Sequence, residues 1–489
     1  MNQMAPDRET RSRAEAMLGL FAPSLYADHI KVYPRSVSGR FRNIKWAVLI
    51  ACLGVYYIAP WIRWDRGPGV PDQALLLDME GRRGYFFNLE IWPQEVYYIT
   101  GLLILGAVAL FLATSLFGRI WCGYACPQTV WTDLFMLVER WIEGDRNARM
   151  KLDQQRLGLN KALRKLVKHG VWLLIAAATG GAWIMYFQDA PTVTREIFTG
   201  EAGSGTYFFF GLFAGTTYLL AGWAREQVCT YMCPWPRFQA AMLDEHSLAV
   251  TYQGWRGETR GKHKAGESWE GRGDCVDCRA CVNVCPTGID IRDGLQLECI
   301  GCGLCIDACD EIMGKVGRPP RLIDFVSIAN LERRAQRQPG FLKLVRPRTL
   351  IYTALLVLVA AVMLVALVTR TEWSLNVLHD RAPLYVTLSD GSLRNGYTVK
   401  VLNKTRFEGE LRLTIDGLPS ATLFRAGEAD NDATSLPIEA VADDVGEYRI
   451  FVKVPRHAVH GSATVFDFRL SDANGRRLAD YTATFNGPN

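Results

Sequence analysis

Eight of the thirteen cysteines in this 489-residue chain fall into two runs: Cys275-x2-Cys278-x2-Cys281-x3-Cys285-Pro286, then Cys299-x2-Cys302-x2-Cys305-x3-Cys309. Three thiolates this close on one loop can cap three corners of an iron–sulfur cubane, and the rhythm is that of bacterial two-cluster ferredoxins. The fourth cysteine of each run, expected at the start of a helix, reaches the other cluster. Cys275, Cys278, Cys281 and Cys309 are thus expected to hold one [4Fe–4S] cluster, and Cys299, Cys302, Cys305 and Cys285 the second. Gly288, Gly301 and Gly303 let backbone amides approach the sulfides, where hydrogen bonds tune potential. Two zinc sites are the competing reading, but zinc needs four thiolates without this spacing. Asp310 stands where a second proline would be, a departure expected to loosen one helix start without removing a ligand.

Four further cysteines form two matched pairs, Cys122-x3-Cys126-Pro127 and Cys229-x3-Cys233-Pro234. On a helix, residues four apart share a face, and a proline just after suits the first turn of a new helix. These thiols could bind a soft ion such as Cu(I), form redox disulfides, ligate another cluster, or merely pack. Tight clustering in a chain without a secretory signal favours metal ligation over structural disulfides.

Other candidates are weaker. Cys52 reads as a small packing residue. His457-x2-His460 is a copper candidate, more simply a solvated loop pair, and Glu90 and Glu95 flank Trp92-Pro93-Gln94 at the mouth of an apolar run. No histidine lies inside an apolar span and no Cys-x2-Cys-His occurs, so neither bis-histidine haem nor haem c is expected. A Rossmann glycine fingerprint is missing as well.

The elements that position these residues are membrane helices and a sheet domain. Five segments are apolar enough to span a bilayer, which takes roughly 20 residues: Asn43–Trp61, Val96–Phe117, Gly170–Phe187, Thr206–Trp223 and Leu350–Val368. Lys and Arg crowd the N-terminal tail (Arg8, Arg11, Arg13, Lys31, Arg35) and the loop from Arg140 to Lys168, whereas Arg195 stands alone between the third and fourth spans. By the positive-inside rule the tail, that loop and the cysteine-rich segment are cytoplasmic. The first 42 residues lack an apolar core with a small-residue cleavage site, so no signal peptide is expected. A net charge of +5 with no basic–aromatic stripe excludes a nucleic-acid binder.

From about Thr371 the pattern changes. YTVKVLNK, LRLTIDG, EYRIFVKVP and TVFDFRLSD alternate apolar and polar residues, with turns at Asp390-Gly391, Asp416-Gly417 and Asn474-Gly475. About seven short strands here read as an immunoglobulin-like β-sandwich. The expected architecture is a five-helix transmembrane bundle with an inserted bacterial-type 2[4Fe–4S] ferredoxin domain and this sandwich. In order come a cytoplasmic tail (1–42), four helices with both Cys-x3-Cys-Pro motifs (43–224), a cytoplasmic segment (225–348) with the ferredoxin domain at about 265–320, a fifth helix (349–369), and a periplasmic sandwich (370–489). RIWCGYACPQTVW after the second span and REQVCTYMCPWPRF after the fourth hint at internal duplication.

With WCGYACPQT at 121–129, VCTYMCP at 228–234, the eight ferredoxin cysteines and a terminal β-domain, nearly the whole chain resembles the CcoG/FixG/RdxA family of accessory proteins for cbb-type cytochrome oxidase assembly. The resemblance implies a bacterial inner-membrane protein that reduces Cu(II) to Cu(I) on the cytoplasmic side. On that reading an unidentified donor reduces the two clusters, and the electron passes to copper held by Cys122, Cys126, Cys229 and Cys233. Cu(I) then goes to a transporter or chaperone and to oxidase assembly factors. Competing expectations are a NapH-like quinol-linked electron relay and a non-enzymatic assembly scaffold.

Overall fold

The computed structural model describes residues 31–67, 69–264, 266–428, 432–459 and 461–488, divided into two compact units after Met363. His460 and the tail arginines Arg8, Arg11 and Arg13 lie outside the described residues.

In the first unit four helical stretches among the described residues are long and apolar enough to cross a membrane: Arg40–Trp61, Pro93–Phe117, Ser204–Ala224 and Pro347–Val368. The expected fifth, Gly170–Phe187, does not reach that standard. It lies within a helix from Leu159 to Ile184 whose opening turns carry Lys161, Arg164, Lys165 and Lys168, and the apolar part left inside the helix falls short of roughly 20 residues. On the Pro347–Val368 helix, Leu350, Ile351, Val357, Leu358 and Val362 are exposed, an apolar surface that lipid accepts and water does not. The Ser204–Thr217 helix continues as a π-helix, Tyr218–Ala224, and a second π-helical turn, Val228–Met232, follows. Such widened turns concentrate at functional sites.

Beyond the first span, a stretch with no strand expected forms an antiparallel sheet of β1 (Leu75–Asp78), β2 (Arg83–Phe86) and β3 (Leu89–Ile91). Buried Arg66 organises its approach, donating to the carbonyls of Phe87, Pro71, Gln73 and Ala74. Buried Gln73 donates to Leu75 and Met185 and accepts from the Ala190 amide. Glu95 is also buried, and its carboxylate accepts from the Trp92 amide at 3.2 Å, capping the turn that leads into the second span.

The ferredoxin region is closed by strands β4 (Ala249–Tyr252) and β5 (Ile323–Val326), which pair antiparallel. Two helices, Ala280–Val284 and Leu304–Lys315, pack between them over Val250, Ile291, Ile306, Met313, Leu322 and Ile323.

Among its described residues the second unit is a sandwich of nine strands, where about seven were expected. A five-stranded sheet runs β10 (Thr422–Arg425), β12 (Asp444–Val454), β8 (Leu393–Asn403), β6 (Trp373–His379), with β7 (Val386–Thr387) on β8, and a four-stranded sheet runs β11 (Ser435–Ala440), β9 (Gly409–Asp416), β13 (Ala463–Ser471), β14 (Arg477–Asn486). Its longest ladder pairs Leu393–Asn403 (β8) with Asp444–Val454 (β12). Tyr397, Val399 and Val401 of β8 alternate inward, as do Ile450, Val452 and Val454 of β12. They meet Phe466, Phe468 and Leu470 of β13 (Ala463–Ser471) from the other sheet, giving the single apolar layer that two such sheets share. The Tyr397 hydroxyl donates across it to the Thr484 carbonyl at 2.8 Å.

Candidate metal centres

The eight ferredoxin cysteines gather around two cavities. Cys275, Cys278, Cys281 and Cys309 line one. Cys285, Cys299, Cys302 and Cys305 line the other, with Cys281 at its edge. The run order thus splits three-plus-one, because Cys285 and Cys309 each face the cavity of the opposite run. Among the described residues no three His, Cys, Asp or Glu side chains are gathered to hold a single metal ion. Thiols spread around a cavity suit a cubane, whose four irons stand apart.

Local structure differs from the expected helix starts. Cys285 follows the last turn of Ala280–Val284, whereas Cys309 sits inside Leu304–Lys315. The residue after each position explains the contrast. Pro286 stops the first helix, while Asp310 has an amide to give and lets the second run on. Its carboxylate accepts from the Arg321 amide at 2.6 Å. Gly301 and Gly303 take φ of +67° and +72°, a region open to glycine. Amides of Gly301 and Leu304 donate toward the sulfurs of Cys299 and Cys302.

Burial pushes the Cys281 and Cys299 thiols up to about 12, and raises Cys302, Cys305 and Cys309 as well. A thiolate in such surroundings needs a cation directly on the sulfur, which iron would provide. The donor set, the cavities and the aimed amides fit [4Fe–4S] clusters.

Both Cys-x3-Cys-Pro motifs have one architecture, and it is not a continuous helix. Cys122 lies in the short Ile120–Tyr124 helix, the chain breaks, and Cys126 caps the Pro127–Glu143 helix with Pro127 at its first position. Cys229 lies in the π-helical turn, the chain breaks at Cys233, and Pro234 caps Trp235–Met242. Each motif follows a membrane helix. Burial raises the Cys122 thiol to about 12 and the Cys229 thiol to about 11, with further raising by the neighbouring thiols. Cys122 interacts electrostatically with Cys126, Cys229 and Cys233, so the four sulfurs share one neighbourhood. The Cys122 thiol donates to the buried Gln239 side chain at 3.2 Å.

This neighbourhood abuts the second ferredoxin cavity. Cys122 and Cys229 pack against the cluster of Ala280, Val284, Ile300, Cys302 and Leu304. A Cβ on Gly123 would lie 3.0 Å from the Cys302 amide nitrogen. Arg119 donates to the carbonyls of Leu297, Cys299 and Pro236, tying ferredoxin loop and second motif to the first. Asp307, on the helix of Cys305 and Cys309, accepts from the amides of Phe41 and Arg42 and so caps the first membrane helix. None of Arg119, Tyr124, Gln239 or Asp307 carries a sequence signal beyond proximity to a cysteine. Cys52 is partly buried within the first span, Glu90 lies in β3, and His457 in a short 3-10 turn.

Fold and site define a membrane iron–sulfur electron-transfer protein. Residues 99–145 match the family described as "4Fe-4S binding domain" and residues 224–328 that described as "4Fe-4S dicluster domain". Residues 363–488 match "IG-like fold at C-terminal of FixG, putative oxidoreductase". Nitrogen fixation protein FixG of Rhizobium meliloti is 47% identical, with 95% of this chain and 94% of that protein covered. Protein RdxB of Cereibacter sphaeroides is 53% identical over 82% of this chain and 87% of its own length. Protein RdxA of the same organism is 46% identical over 95% and 98%. The chain belongs to the FixG/RdxA family.

Proposed function

We propose that this protein passes single electrons through two ferredoxin clusters to Cu(II), releasing Cu(I) for assembly of a cbb-type cytochrome oxidase. The observation that supports the reading most directly is the contact between the four-thiol neighbourhood and the second ferredoxin cavity, through Gly123 and Tyr124 against Cys302. Cys275, Cys278, Cys281 and Cys309 would hold one cluster, and Cys285, Cys299, Cys302 and Cys305 the other. When bound, the clusters supply one-electron carriage at low potential. Cys122, Cys126, Cys229 and Cys233 bind the substrate ion, and two thiolates suffice for the soft Cu(I) product, which they favour over Cu(II). Each Cu(II) takes one electron, from a low-potential one-electron donor, and binding displaces the thiol protons that burial retains.

Lys and Arg placement supports a cytoplasmic ferredoxin region and a periplasmic C-terminal domain in a bacterial inner membrane, an arrangement in which the Leu159–Ile184 helix crosses the membrane together with the four more apolar stretches. The partners on this reading are the donor, a copper transporter or chaperone, and oxidase assembly factors.

The test uses anaerobic, detergent-purified protein with reduced clusters and one equivalent of Cu(II). Cluster reoxidation matched by stoichiometric Cu(I), and slowed when Cys122, Cys126, Cys229 and Cys233 become serine, is the expected result. Equal rates in that variant would defeat the copper site. A second reading is favoured by the match of residues 99–145, Cys122 and Cys126 included, to a 4Fe-4S binding family: the four thiols hold a further cluster. Iron and sulfide content above two clusters, falling to two in the four-serine variant, would decide for it.

A further inference from the structure

A small third pocket lies between the two redox neighbourhoods. It shares Pro286, Thr287 and Ile300 with the second ferredoxin cavity, and it is also lined by Cys229. Lys45, from the Arg40–Ile58 membrane helix, reaches into it. Lys45 is only 2% exposed, an expensive position for an ammonium group. Its ion-pair partner is Asp133, 1% exposed, at 3.7 Å. The closer partner of Asp133 is Arg42, at 2.8 Å with both carboxylate oxygens engaged. Two buried cations therefore share the Asp133 carboxylate, and Glu226 places a second carboxylate on the same cavity. Arg225 and Glu226 line the same cavity, and Arg225 is already paired with Glu139 at 3.0 Å.

We propose that Lys45 is a positioning residue, a buried counter-cation shared by the second cluster and the Cys229 site, which makes arrival of an electron at this junction favourable. The inference rests on reading Cys285, Cys299, Cys302 and Cys305 as cluster ligands. An added electron makes a thiolate-ligated cluster more negative, and a buried cation beside it favours that state. The first cluster, around Cys275 and Cys278, lies on the other side of Cys281 and is affected little. The potential gradient then runs from the first cluster through the second toward Cys229.

The test is a mediated redox titration of the full chain in detergent, read by electron paramagnetic resonance, with Cys299→Ser identifying the second cluster's signal. In Lys45→Met the reduction equilibrium constant of that cluster should fall about tenfold while the first stays put, and Lys45→Arg should restore it. If both clusters titrate as in the parent, or Lys45→Arg behaves like Lys45→Met, the inference is overturned. Lys45→Gln guards against misfolding: if it and Lys45→Met both lose iron that Lys45→Arg keeps, Lys45 is merely structural. Should Cys299→Ser remove no cluster, the ligand reading itself has failed, a result separate from an unshifted potential.

Discussion

The hydroxyl of Tyr124 donates to the backbone carbonyl of Cys302 at 3.0 Å, joining the middle of the first Cys-x3-Cys-Pro motif to a ferredoxin loop 178 residues later. Both groups are buried, so the bond is one of the few polar links available to that carbonyl. Tyr124→Phe should destabilise the folded chain by about 1–3 kcal/mol, the range for stranding a buried polar group. Thermal unfolding followed by cluster absorbance checks this. An unchanged melting curve would mean that water satisfies the carbonyl instead.

Cys285 faces the cavity of the second run and Cys309 that of the first. Cys285→Ser should therefore perturb the same cluster signal as Cys299→Ser, and Cys309→Ser the same signal as Cys275→Ser. Iron content with low-temperature magnetic resonance spectra reads the pairing. If the signals pair run by run, the crossed arrangement is wrong.

Asp310 lies within a continuous helix, Leu304–Lys315. Although bacterial spacing places proline after the fourth cysteine, Asp310→Pro should cost roughly 3 kcal/mol or more here. Loss of cluster content at moderate temperature, in a variant otherwise closer to the ferredoxin pattern, is the expected outcome. Normal loading and stability would place a helix break at Cys309.

Glu139 is buried among Arg149 at 2.8 Å, Arg225 at 3.0 Å and Lys168 at 3.5 Å. Burial by itself would raise its carboxyl, but Arg225, Arg149 and Lys168 hold it down at about 2. A folded value below the unfolded one gives stability that is fully present above about pH 4.5 and lost as pH falls toward about 2. Glu139→Gln should lower stability at pH 7 by an amount on the order of 3 kcal/mol and flatten the acid limb. Helical circular dichroism against pH measures both, and an equally steep acid limb in the variant would assign the loss to other carboxylates.

Much of the molecule was legible from spacing alone. Eight cysteines in a fixed rhythm announce a cavity-lining set, because short loops leave three thiols few places to go. The alternation around Tyr397, Val399 and Val401 announces a sheet with one dry face. Membrane helices were legible where the apolar run was long, as in Leu350–Val368. The Gly170–Phe187 segment was not confirmed as a full apolar span, because its apolar run joins a basic helix that starts at Leu159 and ends at Ile184. The sheet of β1 to β3 was missed since its order depends on Arg66 and Gln73 binding distant carbonyls, which no local pattern reveals.

Sequence by itself determined the donor chemistry: which thiols exist, at what spacing, and that a sandwich without cysteine closes the chain. Only the tertiary structure decided where that chemistry meets. Placing Cys122 and Cys229 beside Cys302, seating Lys45 near them and capping a membrane helix with Asp307 all join residues more than seventy positions apart. Periodicity encodes which face of a segment is buried. It cannot encode which other segment covers that face, because that depends on packing summed over the whole chain.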